Sequence, residues 1–203
     1  MKTFTVTFIR HGKVNGAPAL YGSTDIGVCP ATNQAISDSL THADIGYQTV
    51  ISSPLRRCLS LAELLAGERP LVCEPALQEM HFGQLDGTPF ETITSGSQVW
   101  QLLEQFWHNP ARAGLPDAES LESFCTRVTG CWSRIVNELR NDVLIVTHGG
   151  VIRAIVADVL GLDWKNPQWY SNLTIRNGSI TQIQVTVIEN QPYFAVKQIG
   201  SIY

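Results

Sequence analysis

KTFTVTFIRHG (residues 2–12) decides the fold. Thr3 to Ile9 form an unbroken run of β-branched and aromatic residues, the kind that fits the pleated surface of a strand. The run stops at Arg10-His11-Gly12, which leaves two polar side chains where the backbone turns. DVLIVTHGGVIR (residues 142–153) repeats the pattern, a short apolar run closing on His148-Gly149-Gly150. Continuous apolar runs mark strands covered on both faces, as in parallel sheets.

Working outward, further strands are expected at Tyr47–Ser52, Pro70–Cys73, Ser179–Ile188 and Tyr193–Ile199. The last two form a hairpin around Glu189-Asn190-Gln191 and Pro192. Ser53-Pro54 offers an N-cap and a proline for a helix with Leu55, Leu59, Ala62 and Leu65 on one face. Ser97–His108 predicts another helix. Glu119–Asn141 predicts the longest, with Leu121, Phe124, Val128, Cys131, Ile135 and Leu139 at helical spacing. A last helix is expected over Gly150–Leu160, and Asn109–Asp117 as a loop. Strands alternating with helices predict an α/β fold, a three-layer α/β/α sandwich with a mostly parallel central sheet. The expectation is a single domain over residues 1–203, with a small helical insertion at about 85–118.

In such sheets, ligands bind beyond the carboxyl ends of the strands. If the first strand and Asp142–Thr147 are parallel neighbours, His11 and His148 meet in one crevice. The helix begun at Gly149-Gly150 points its free N–H groups there. Arg57 opens a helix after a third strand. Two Arg, two His and helix N-termini suit a dianion such as phosphate.

Composition narrows the function. The chain has 203 residues, 44% hydrophobic and 16% charged, so it is globular. A net charge of −4 argues against a nucleic-acid or anionic-membrane partner, and leaves room for a local cationic pocket. Five Cys form no CxxC pair, which argues against a disulfide framework and for a cytoplasmic protein. No stretch approaches the roughly 20 apolar residues of a membrane span. With five His and no HxH or HExxH spacing, no metal site is expected.

FIRHG, SSPLRRC, LQEMHFGQLDG and VTHGGVIR, in this order, resemble the histidine phosphatase superfamily, which includes cofactor-dependent phosphoglycerate mutases. The resemblance spans roughly residues 4–160. It implies that His11 is a nucleophile transiently phosphorylated, that Arg10, Arg57 and His148 hold the phosphoryl oxygens, and that Glu79 is the general acid. It implies no cofactor. On the substrate side it puts Asn15, Tyr21, Gly22, Ser23 and Gly149. LYGSTD (residues 20–25), WHNP (107–110) and DAESLESFCTRV (117–128) resemble alpha-ribazole phosphatases of cobalamin assembly more narrowly. The implied partner is a small phosphorylated metabolite, alpha-ribazole 5′-phosphate. A broad-specificity phosphatase, a phosphoglycerate mutase and a non-catalytic phospho-ligand-binding protein are the rival readings.

The chemistry is coherent. A neutral imidazole attacking phosphorus splits one slow displacement into two. Fixed Arg and His groups stabilise charge spread over the equatorial oxygens. The leaving alkoxide needs a proton, which a carboxyl beside a dianion can supply. The sequence departs from the family pattern at Lys13, Val14 and Ala17, on the substrate side. Trp100 and Trp107 lie about two turns apart, as core residues or as a lid over an aromatic base; Trp132 and Trp164 are expected in the core. Arg56 and Arg57 compete for one role. The edge of the last hairpin is a candidate homodimer surface.

Overall fold

The computed structural model describes residues 1–202. Its single sheet contains β1 (Lys2–Arg10), β2 (Thr49–Ser52), β3 (Leu71–Cys73), β4 (Val143–Thr147), β5 (Ile180–Ile188) and β6 (Gln191–Ser201). The spatial order is β3-β2-β4-β1-β5-β6. The first four of these are mutually parallel, and β5 and β6 are antiparallel additions. The helices are α1 (Pro30–His42), α2 (Arg56–Ala66), α3 (Gln98–His108), α4 (Leu121–Glu138), α5 (Gly149–Leu160) and α6 (Gln168–Asn172).

Every residue of β4 is buried, so both faces of the strand need a covering layer. Strand alternation divides the apolar run between them. Val143 and Ile145 pack into a core with Phe124, Val128 and Trp132 of α4 and Val151 and Ile155 of α5. Leu144 and Val146 pack into the opposite core with Cys58, Leu61 and Leu65 of α2. Burying each such aliphatic or aromatic side chain contributes about 1.5–3 kcal/mol. The result is the expected three-layer sandwich around a mostly parallel sheet.

β1 and β4 are neighbours with Arg10 opposite Thr147. His11 N–H extends the ladder by donating to Thr147 O at 3.0 Å. The two strands therefore end together, and both histidines leave the sheet at one edge.

Four details differ from expectation. α2 begins at Arg56, with Leu55 rather than Ser53 at its N-cap. Ser53 is occupied otherwise: its Oγ lies 2.8 Å from His148 Nε2. Leu61 rather than Leu59 is fully buried in α2. The hairpin turn is only Glu189-Asn190, both at positive φ (51° and 65°), and Pro192 lies inside β6 opposite Val187. β6 is an edge strand, where a missing N–H is tolerated. Finally, α1 and α6 were not anticipated. α1 buries only Asn33 and Leu40, so it has little apolar period to read. α6 has five residues.

Candidate active site

The His11 and His148 rings meet edge to face, with centroids 5.2 Å apart. His11 is buried, and its Nδ1 lies 2.8 Å from Gly12 O. A carbonyl only accepts, so Nδ1 carries the proton and the Nε2 lone pair is free. Burial pushes the His11 imidazolium down to about 3, and the charges of Arg57 and Arg10 add to this against the Gly12 carbonyl. Both effects keep the His11 ring neutral with an unengaged Nε2. Burial also holds His148 well below its usual value, reinforced by His11, Arg57 and Arg10.

Arg57 is fully buried and organises the surroundings. Its Nε–H donates to His148 Nδ1 at 3.2 Å. That leaves the His148 proton on Nε2, where it donates to Ser53 Oγ. The Arg57 Nη groups donate to the carbonyls of Thr24 (2.8 Å), Tyr21 (3.0 Å) and Gly22 (2.6 Å). Arg56 is exposed, so the register choice between the two arginines falls to Arg57. Arg10 Nη1–H donates to Ile175 O at 2.6 Å, while its Nε is buried without a partner. Gly149 packs beneath it: a Cβ there would lie 3.3 Å from Arg10 Nε.

Glu79 arrives from the loop after β3. Gly150 N–H at the start of α5 donates to its Oε2 at 3.0 Å, and Met80 N–H to its Oε1 at 3.1 Å. Glycine leaves room for this approach: a Cβ on Gly150 would overlap Glu79 Oε1 and make the carboxylate shift. Arg127 of α4 holds the loop from behind. Its guanidinium donates to the carbonyls of Ala76, Gln78 and Glu79 and pairs with Glu119.

The remaining substrate-side residues separate into two groups. Tyr21 and Gly22 enter through the carbonyls that Arg57 reads, and the Tyr21 hydroxyl donates back to Ala17 O. Ser23 N–H and Thr24 N–H and Oγ1–H bind the Asp86 carboxylate. Burial pushes Asp86 up, but these bonds and one from Phe82 N–H outweigh it and leave the carboxyl below its usual range. Asp86 is therefore an anionic strut for the loop. Asn15 is not drawn into the cluster; it is exposed, with its N–H on Gly27 O. Lys13 is exposed, and Val14 bridges to Val28.

Beside Glu79 opens a cavity of about 350 Å³. Phe82, Phe106, Trp107, Phe124 and Tyr170 supply its aromatic wall. Trp107 is 40% exposed and stacks edge to face on Trp100 and Phe90, so it belongs to the cavity rim rather than the core. Trp132 is buried, whereas Trp164 is only half-buried. Arg153, one turn beyond Gly150 on α5, also lines the cavity while donating Nε–H and Nη2–H to Leu173 O. Beyond Trp107, read as a core residue or a lid, the cavity wall and the parts played by Ser53, Arg127 and Arg153 had no local signal, because they depend on contacts between distant segments. Ser53, Arg127 and Arg153 did lie inside quoted motifs.

Paired strand-end histidines, a buried Arg57, a half-buried Arg10 and a carboxylate at a helix start thus form one cluster at the carboxyl edge of the sheet. The model of the histidine phosphatase superfamily (branch 1) matches residues 6–193, and the chain belongs to that superfamily. A Hydrogenobacter thermophilus protein named "Putative phosphoserine phosphatase 2" is 31% identical over 67% of this chain and 66% of its own length. The chain thus spans just under two thirds of that relative. "Probable phosphoglycerate mutase GpmB" of Shigella boydii is 25% identical over 88% of this chain and 83% of its own. Among solved structures, an alpha-ribazole phosphatase from Shigella flexneri superposes with a TM-score of 0.78 at 19% identity, covering 98% of this chain and 96% of that one. Bacillus stearothermophilus YhfR gives 0.82 at 21%, covering 98% of each. The two structures share the fold with this chain.

Proposed function

We propose that this chain is a metal-independent phosphomonoesterase that works through a phosphohistidine on His11, with alpha-ribazole 5′-phosphate as substrate. The observation that carries the reading is the His11 hydrogen bond: Nδ1 lies 2.8 Å from Gly12 O, which leaves Nε2 free in a cluster with the buried Arg57 and the half-buried Arg10. In the first step Nε2 bonds to phosphorus as the ester P–O bond breaks, and Glu79 passes a proton to the leaving oxygen. In the second, water attacks phosphorus, the N–P bond breaks, and Glu79 takes a proton from the water. Arg10 and Arg57 stabilise the equatorial oxygens.

The substrate choice is supported by the aromatic cavity beside Glu79, which suits a leaving group bearing an apolar aromatic base. A second reading, a carboxylated ester such as phosphoserine, is favoured by Arg153 in the same cavity. The test is inorganic phosphate release from alpha-ribazole 5′-phosphate, O-phosphoserine and 3-phosphoglycerate. The expected result is a kcat/KM at least about tenfold higher for the ribazole ester. Preference for phosphoserine would favour the second reading. Phosphoryl transfer between glycerates without phosphate release would make the chain a mutase.

A further inference from the structure

Arg127 lies outside the phosphate cluster, yet it is the most fully used side chain near Glu79. Nε–H and Nη2–H grip the two Glu119 oxygens at 2.7 and 2.9 Å. Nη1 donates to Ala76 O and Gln78 O, both at 2.9 Å, and Nη2 to Glu79 O at 3.0 Å. All five guanidinium donors are thereby satisfied. Glu119 reaches the other side of the same loop: its N–H donates to His81 O at 3.0 Å, and its Oε2 accepts from His81 N–H at 3.4 Å. The guanidinium also sits 4.9 Å from the centroid of Phe124, a wall of the cavity beside Glu79. The pair is largely shielded, with side-chain exposures of 28% and 17%.

Nothing in this arrangement touches the carboxylate of Glu79. The clamp acts on the backbone of residues 76–81 from both sides and ties it to the start of α4. The Glu79 side chain then has little freedom left, because Met80 N–H and Gly150 N–H take its two oxygens. We infer that Arg127 and Glu119 form a positioning clamp that sets the placement of Glu79 for proton transfer to the leaving group. The inference rests on Glu79 being the acid.

The clamp predicts a particular kinetic signature. A displacement of about 1 Å at a catalytic group costs on the order of 10²-fold. Loss of the clamp should therefore slow esters whose leaving oxygen needs a proton and spare those whose leaving group departs as a stable anion. Lysine has a single ammonium and cannot reproduce the fork. The experiment compares R127K and E119Q with the wild type in rapid-mixing bursts, which isolate the first step, on an alkyl phosphate and on p-nitrophenyl phosphate. Both variants should lose on the order of 10²-fold on the alkyl ester, several times more than on p-nitrophenyl phosphate. E119Q keeps the shape of the pair, so it serves if R127K does not fold. In an E79Q background, R127K or E119Q should cost nothing further on the alkyl ester. Equal losses on both esters, or a full additional loss in the E79Q background, would overturn the clamp and leave a purely structural ion pair. If E79Q itself shows no dependence on the leaving group, the acid assignment falls and the clamp's catalytic role falls with it.

Discussion

His11→Asn should change how the protein responds to acid. In the folded chain, burial chiefly, with Arg57 and Arg10, holds the His11 imidazole near 3. In the unfolded chain the same ring titrates near 6.5. Between these values the unfolded chain carries a proton that the native state refuses, so stability falls as the pH drops below about 6.5. From pH 6.5 to 5.0, at about 1.36 kcal/mol per pH unit, the native state loses about 2 kcal/mol through this ring. Above about pH 7.5 the ring is neutral in both states and contributes no slope. Asparagine cannot take the proton and removes this loss. Burial, the largest cause of the His148 depression, remains in both proteins; the smaller His11 contribution is lost in the variant, which can only widen the difference. Urea unfolding at pH 7.5 and 5.0 measures the effect: the wild type should lose about 2 kcal/mol more than the variant on acidification. Equal losses would refute the reasoning, because they would mean that His11 binds protons alike in the folded and unfolded chains.

Three other outcomes follow from the geometry. Gly150→Ala puts a Cβ where Glu79 Oε1 lies, so hydrolysis of alkyl phosphates should fall about 10²-fold; an unchanged kcat would mean that Glu79 works from another position. Arg57→Lys cannot serve His148 Nδ1 and the carbonyls of Tyr21, Gly22 and Thr24 together, so it should cost at least about 2 kcal/mol in urea unfolding and lower kcat; a lysine variant as stable and active as the wild type would contradict the role of the fork. Activity should survive dialysis against EDTA and be inhibited by vanadate, a mimic of pentacoordinate phosphorus; loss in EDTA with rescue by a divalent ion would contradict the two-arginine account of charge stabilisation.

The legible parts of the sequence were those written in short range. Thr3–Ile9 and Asp142–Thr147 are buried runs ending on functional residues, and parallel-sheet geometry alone then brings His11 and His148 together. The helix expected from Ser97 is capped by that residue's oxygen on Trp100 N–H, whereas the one expected from Glu119 starts at Leu121, with Ser120 capping Ser123 N–H. Ser53 shows the limit. Ser-Pro before an apolar run is a fair helix start, but the helix begins at Arg56, and the Ser53 hydroxyl meets His148 Nε2 at 2.8 Å while accepting only a long bond from Leu55 N–H at 3.4 Å. α1 escaped notice because one of its two buried positions is Asn33, whose Nδ2–H donates to Ser60 Oγ rather than meeting an apolar partner. The aromatic cavity is assembled from residues as far apart as Phe82 and Tyr170, so no local spacing announces it. Arg127 stands in a helix without a local motif of its own, and only the loop folded against it shows what it holds.

The central claim is that phosphorus bonds to His11. Rapid mixing with a ³²P-labelled phosphomonoester, followed by alkaline quench and peptide mapping, tests it directly. The account predicts acid-labile, base-stable label on the peptide containing His11, absent from His11→Asn and longer-lived in Glu79→Gln, which cannot activate the hydrolytic water. Label on His148, or steady turnover by His11→Asn near the wild-type rate, would contradict it.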